Sequence, residues 1–280
     1  MKKIVFVCTG NTCRSPMAEG IANNLLGHKY QSVSCGLSAS SGDPASENAV
    51  TAMKEIGVDI SSHRSRQLTI YDIESADIIV AISNSHFNYL SQIAEAKDKL
   101  LLLGNGISDP YMQDLDVYRK CRDEIKLAIA NMFLDLEISQ MTTYDVSDLA
   151  KIEAETFGKS AWSEKGIAEE LNNPCAHFIV ARSDNKVLGY TGFQLLAGEA
   201  YIANIVVKKE YRGLGIGKRL LATLIDLAKE LKSVFISLEV RQSNSTAKKM
   251  YENFGFEKVG ERKNFYVDPK EDADIYTLYF

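Results

Sequence analysis

Ile4-Val5-Phe6-Val7-Cys8-Thr9-Gly10-Asn11-Thr12-Cys13-Arg14-Ser15-Pro16 is the stretch that decides the fold of the front half of this chain. Four apolar residues of strand length run into Cys8, and Pro16 sits where a helix makes its first turn. A strand that feeds a helix through a short loop gathers backbone N–H groups and the positive helix end around one point. That point suits a tetrahedral oxyanion. Thr9, Gly10, Asn11, Thr12 and Cys13 supply the ring of amides, and Arg14 closes it with a planar fork for two phosphate oxygens. The same positive field favours a thiolate at Cys8, so the loop reads as a phosphoryl-transfer nucleophile. Ser15 comes next, placed to hydrogen-bond the sulfur and ease its departure.

A nucleophile of this kind needs an acid for its leaving group. Asp109-Pro110, in the loop after an apolar run at 100–103, is the candidate. Read alone, Cys8 would be a buried core cysteine and Asp109-Pro110 an ordinary turn. The residues around Cys8 give both their chemistry.

Outward from this loop, strand-length apolar runs at 4–7, 33–35, 77–82 and 99–103 alternate with helical stretches at 16–26, 45–56, 86–94 and 115–136. The alternation predicts an α/β unit with a four-stranded parallel sheet and ligands beyond the carboxyl ends of its strands. The pattern restarts near 138–143, which sets two domains, 1–139 and 140–280. Helices are expected at 145–157, 164–171, 216–231 and 246–253, and strands at 177–181, 186–196, 200–207, 234–240 and 274–280.

Bulk properties narrow the class. A net charge of −5 leaves no basic footprint for nucleic acid or an anionic membrane. No apolar run approaches the roughly 18 residues of a spanning helix. Met1-Lys2-Lys3 and four apolar residues are too short for an export signal, whose core runs about 7–15 residues. Five scattered cysteines form neither a disulfide framework nor a zinc spacing, which predicts a cytoplasmic protein.

The second half has its own anion loop. Arg212-Gly213-Leu214-Gly215-Ile216-Gly217 follows an expected strand and opens an expected helix. Its glycines let the backbone approach a pyrophosphate. Dinucleotide folds use a similar device, but at the first strand of a domain. Here several strands precede it.

Residues 1–139 resemble the low-molecular-weight protein tyrosine phosphatases. The resemblance implies Cys8 as nucleophile, Arg14 as phosphate holder, Asp109 as general acid and a phosphocysteine intermediate hydrolysed without metal. Cys13 matches a position where family members carry a second cysteine that can pair with the nucleophile, and a packing role for it stays open. Thr12 departs from the larger aliphatic residue of tyrosine-specific members. It is characteristic of bacterial protein arginine phosphatases, as is Ser61-Ser62-His63-Arg64-Ser65-Arg66-Gln67-Leu68. Tyr111 points the other way, because an aromatic after Asp-Pro suits stacking on phosphotyrosine. Thioredoxin-coupled arsenate reductases share the fold but need redox cysteines downstream, and residues 75–100 contain none.

Residues 141–280 resemble the GNAT acetyltransferases with their mixed sheet, and most nearly the ribosomal-protein-alanine N-acetyltransferases. The strings are Ala161-Trp162-Ser163-Glu164, Ile202-Ala203-Asn204-Ile205-Val206-Val207, Leu238-Glu239-Val240-Arg241-Gln242-Ser243-Asn244 and Met250-Tyr251-Glu252-Asn253-Phe254-Gly255-Phe256. Ala161 replaces a proline common in that subgroup. The resemblance places acetyl-CoA on Ile205, Val206, Val207, Gly213, Leu214, Gly215, Ile216, Gly217, Lys218 and Asn244. It makes Glu239 the base for the incoming amine and Tyr251 the acid for the CoA thiolate. An α-amine, with pKa about 7.8, is far more often neutral near pH 7.5 than a lysine near 10.4. A single carboxylate therefore suits an N-terminus, and the resemblance implies the N-terminal alanine of a small-subunit ribosomal protein.

The expectation is a bifunctional enzyme acting on phosphorylated proteins and on a ribosomal protein N-terminus. Two alternatives stand beside it: a tyrosine phosphatase joined to a general amine acetyltransferase, and a non-catalytic assembly module.

Overall fold

Ile4, Val5, Phe6 and Val7 are all fully buried, which requires a strand covered on both faces. In the computed structural model, which describes residues 1–280, this strand is β1 (Lys2–Cys8). It lies between β2 (Tyr30–Gly36) and β3 (Ile78–Ala81), with β4 (Leu100–Leu102) beyond. The order is β2-β1-β3-β4 and every pairing is parallel. Six helices accompany the sheet: α1 (Arg14–Leu26), α2 (Glu47–Lys54), α3 (Ile70–Ser75), α4 (Asn84–Leu90), α5 (Ala94–Lys97) and α6 (Leu115–Phe133). Val5, Val7, Ile79, Ala81 and Leu90 build one buried cluster on it. Each fully buried aliphatic side chain contributes about 1.5–3 kcal/mol relative to exposure. The order reverses at β1, so the crevice at its carboxyl end is the expected ligand position. Cys8 ends β1 there.

The second sheet is mixed and has seven strands, β10-β11-β9-β8-β7-β6-β5. In chain order these are β5 (Glu137–Gln140), β6 (Ala176–Ser183), β7 (Lys186–Leu196), β8 (Glu199–Val207), β9 (Phe235–Arg241), β10 (Glu257–Val267) and β11 (Lys270–Tyr279). Helices α7 (Val146–Phe157), α8 (Glu164–Leu171), α9 (Ile216–Glu230) and α10 (Ser245–Asn253) complete it. Leu149, Ile152, Phe178, Val180 and Tyr190 centre its core. The single parallel pairing, β8 with β9, covers only Glu199 to Tyr201 against Phe235 to Ser237. Beyond that point the two strands diverge.

The chain divides into Met1–Leu134 and Asp135–Phe280. This falls ahead of the boundary read at 139/140, because β5 pairs with β6 and so belongs to the second sheet. The helix expected at 86–94 is two helices, separated at Ser91 to Ile93. No helix is long and apolar enough to cross a membrane.

Two candidate active sites

The loop after β1 is organised by Asn11, which is fully buried and holds a left-handed backbone (φ 55°). Asparagine tolerates that conformation better than most residues because its short amide hydrogen-bonds locally. Its Nδ2 donates to Ser15 Oγ and to Ser34 Oγ, each at 2.9 Å. Its Oδ1 accepts from the Arg66 backbone N–H at 2.9 Å, and its carbonyl accepts from His63 Nε2 at 2.8 Å. Two segments distant in sequence, β2 and the stretch from His63 to Arg66, therefore join Ser15 in fixing one loop residue. Because Ser15 Oγ already accepts from Asn11, its own proton is free for Cys8 Sγ, 2.9 Å away. The Asn11 backbone N–H points at the same sulfur from 3.3 Å. Two donors converge on a buried sulfur, which suits it as nucleophile and as leaving group.

Gly36 lets β2 approach this loop. A Cβ there would collide with Thr9 O and stand 3.2 Å from Asn11 N. Arg14 is buried, donates to Ile107 O at 3.3 Å, and is paired with Asp109. The Asp109 side chain is half exposed, and its other oxygen accepts from Tyr111 N at 3.1 Å. A cleft of about 530 Å³ brings together Cys8, Arg14, Asp109, Thr12 and Tyr111. Its far wall is Ser38, Ser40, Asp43, Pro44 and Ser46. Ser65, itself buried, stiffens that wall by donating to Ser40 O and accepting from Asp43 N.

Under the loop, burial and then the Arg14 charge pull the His86 imidazole down to about 4. Cys13 is buried against Tyr118 Oη at 3.2 Å, and burial pushes that phenol up to about 12. Burial likewise pushes the Cys35 and Cys121 thiols up to about 12.

In the second unit, the divergence of β8 and β9 opens a cavity of about 260 Å³. Ile205 from β8, Glu239 from β9, Asn244 just ahead of α10 and Tyr251 on α10 all line it, with Phe157, Phe265 and Tyr266. Asn244 also caps α10 by accepting from Ala247 N at 3.1 Å. Tyr251 is buried, which pushes its phenol above the ordinary range. Glu239 Oε1 meets Arg262 Nη1 at 3.1 Å. Ile205, Val206 and Val207 pair with β7 along one edge, while the edge toward β9 is unpaired past Tyr201.

Gly213 (φ 81°) and Gly215 (φ 77°) both hold the left-handed region, and the space where a Cβ would project is open at each. Gly215 caps α9, whose first turn contains Ile216, Gly217 and Lys218. Unpaired amides of a helix start beside an open backbone form a cradle for pyrophosphate, so these residues fit the CoA moiety.

Of the residues singled out in the sequence, Cys8 to Arg14 and Asp109 line the first cleft, and Ile205, Glu239, Asn244 and Tyr251 line the second cavity. Val206, Val207 and residues 213–218 lie outside that cavity's lining, on β8 and at the start of α9. Sequence reading missed the residues that hold them. Ser34 reaches Asn11 from β2, His63 and the Arg66 backbone reach it from the 61–68 string that the sequence marked only as a subgroup feature, and Glu153 underlies the second cavity. Glu153 is fully buried on α7 and accepts from Tyr190 Oη, from Asn204 Nδ2 at 3.1 Å and from Trp162 N at 2.9 Å.

The two folds define two classes of enzyme, a phosphatase in front and an acetyltransferase behind. The chain belongs to the low molecular weight phosphotyrosine protein phosphatase family, whose model matches residues 3–142, and to the acetyltransferase (GNAT) family, whose model matches residues 144–256. A Bacillus subtilis (strain 168) protein, provisionally named a ribosomal protein bS18-alanine N-acetyltransferase, is 38% identical over 151 residues, which is 54% of this chain and 93% of that one. The protein-arginine-phosphatase of Geobacillus stearothermophilus is 36% identical over 146 residues, 49% of this chain and 98% of its own. An arsenate reductase of Staphylococcus xylosus is 34% identical over 140 residues, 48% of this chain and 97% of its own.

Proposed function

We propose that the front unit hydrolyses phosphoarginine in proteins and that the rear unit transfers acetyl from acetyl-CoA to the N-terminal alanine of a ribosomal protein. The convergence of Ser15 and Asn11 on Cys8 Sγ, in one cleft with the Arg14–Asp109 pair, is the observation that carries the first half. Cys8 attacks phosphorus while Arg14 and the amides of Thr9 to Cys13 hold the phosphoryl oxygens. The phosphoryl group draws Arg14 away from Asp109, whose carboxyl, protonated once the pair is broken, gives its proton to the leaving nitrogen and then takes one from the water that cleaves the phosphocysteine. Ser15 donates to the departing sulfur. The route assigns no step to a metal.

Thr12 lines the cleft and leaves polar room beside the phosphate, which supports a guanidine. The 36% identity to an arginine phosphatase supports the same reading. Tyr111, exposed at the rim, favours phosphotyrosine as the second reading. A reductase route would need a relay of thiols. Residues 75–100 hold no cysteine, and Cys35 and Cys121 are buried with thiols pushed up to about 12. Turnover of matched phosphoarginine and phosphotyrosine peptides tests the choice. A phosphotyrosine advantage that persists in Thr12→Ile defeats the arginine reading.

In the rear unit Glu239 takes the proton of the incoming α-amine, and Tyr251 protonates the sulfur that leaves. The first step is to displace Arg262 from Glu239, an exposed pair worth only about 0.2–1 kcal/mol. Asn244, Ile205 and the loop from Gly213 to Lys218 hold the CoA. The B. subtilis relative supports an alanine N-terminus as acceptor. Transfer to an alanine-starting peptide is expected to collapse in Glu239→Gln and in Tyr251→Phe with acetyl-CoA binding retained. Unchanged transfer in either removes that residue's role.

A further inference from the structure

Thr9 stands apart from the other loop residues. It is exposed into the phosphatase cleft, yet its hydroxyl is held from beneath by a buried side chain. Thr9 Oγ1 lies 2.8 Å from His86 Nε2, and His86 is 4% exposed at the start of α4. The other ring nitrogen, Nδ1, lies 2.7 Å from Ser83 Oγ, which meets Ser85 Oγ at 2.9 Å. A chain of side chains therefore ends on a hydroxyl at the wall of the cleft.

Hydrogen-bond counting decides what that hydroxyl can offer. A hydroxyl has one donor and two acceptor lone pairs, and a neutral imidazole has one donor and one acceptor. If His86 donates to Thr9, one lone pair of Thr9 remains. If Thr9 donates to His86, both lone pairs remain and no proton does. Either way Thr9 keeps an acceptor facing the cleft. A phosphorylated guanidine carries N–H groups around its reacting nitrogen, whereas the phenol ring of phosphotyrosine has no N–H to give. Burial and the Arg14 charge keep His86 neutral, so the count holds at working pH.

Resting on the phosphoarginine reading, we propose that Thr9 is a specificity-determining residue that accepts an N–H of the substrate guanidine, with His86 as the positioning residue that fixes its rotamer. The pair would select nitrogen-linked over oxygen-linked phosphate. This selection acts alongside the room made by Thr12.

The test compares kcat/KM for a phosphoarginine peptide and a phosphotyrosine peptide in wild type, Thr9→Val and Thr9→Ser. Thr9→Val should lower phosphoarginine turnover about 10- to 100-fold more than phosphotyrosine turnover, the difference expected for a hydrogen bond to a charged group. Thr9→Ser should restore the ratio. If Thr9→Val leaves His86 unpaired and unfolds the protein, the Thr9→Val/His86→Phe double variant removes both partners and should show the same selective loss. Equal loss on both substrates, or an unchanged ratio, overturns the proposal. A wild-type preference for phosphotyrosine instead overturns the substrate reading on which it rests.

Discussion

Glu153→Ala is the sharpest test of how the acetyltransferase unit is held. The carboxylate is fully buried, and its partners are three neutral donors, Tyr190 Oη, Asn204 Nδ2 and the Trp162 backbone N–H. Burial raises its pKa, against the donors that favour the anion. Truncation to alanine leaves all three donors inside the protein without an acceptor. Each buried orphan costs about 1–3 kcal/mol, and removing one member of a buried charged network costs about 3–5 kcal/mol in total. We expect about 4 kcal/mol. Glu153→Gln should cost roughly half as much, because its amide can accept on one side only. Trp162 is the only tryptophan in the chain, so its fluorescence reports this unit selectively in urea. With a slope of about 2 kcal/mol per molar, the midpoint should fall by about 2 M in Glu153→Ala. Phosphatase turnover serves as the control for the other unit. A shift below about 0.5 M would refute the reasoning, since the donors would then be finding water.

Other perturbations follow from the same geometry. Gly36→Ala drives a Cβ into Thr9 O and Asn11 N, so phosphatase kcat should fall about 100-fold for a displacement near 1 Å; a change under 3-fold would show the loop adapting freely. Gly192→Ala would place its Cβ within the Phe178 ring and should cost the second unit about 3 kcal/mol in urea, read again by Trp162. His86 is held neutral down to about 4, whereas the unfolded chain takes up the proton near 6.5. The unfolded state thus binds more protons in that window, and the first unit should lose roughly 3 kcal/mol as pH falls from about 6.5 to 4. In His86→Phe that slope should vanish, as measured by denaturation midpoints across the window.

What could be read from the chain, and what could not, divides along physical lines. β1 was legible because a doubly covered strand is a continuous apolar run, and Cys8 and Arg14 because their spacing has a mechanical reason. β10 was not, because nearly every residue from Glu257 to Val267 is exposed at the edge of its sheet, and water on both faces erases any alternation. α3 carries its signal openly, a capping box from Thr69 to Asp72, but six residues are too few to show a helical period. The Asn11 hub was hidden for another reason. Its partners Ser34, His63 and Arg66 are ordinary surface-type residues until the fold brings them together. Glu153 looked like one more polar position on a helix, and only its burial reveals a strut.

Both proposed anion loops lie at a strand–loop–helix junction, yet they solve the left-handed turn differently. The phosphatase loop uses Asn11 at φ 55°, and the acetyltransferase loop uses Gly213 and Gly215 at φ 81° and 77°. Glycine adopts that backbone without strain but brings no side chain to anchor it. Asparagine accepts some strain and returns hydrogen bonds to Ser15, Ser34 and the Arg66 backbone. The difference follows from where bonds are made. In the front unit the reacting sulfur is the first residue of the loop, so a loop displaced by 1 Å misplaces the nucleophile itself. In the rear unit Glu239 and Tyr251 line the cavity where β8 and β9 diverge, and in the proposed function the glycine turn has only to hold acetyl-CoA. A binding loop tolerates mobility that a nucleophile loop does not. The order of the front loop is therefore built from side chains contributed by β2 and by the segment from His63 to Arg66, which is why its integrity depends on residues that take no part in the reaction.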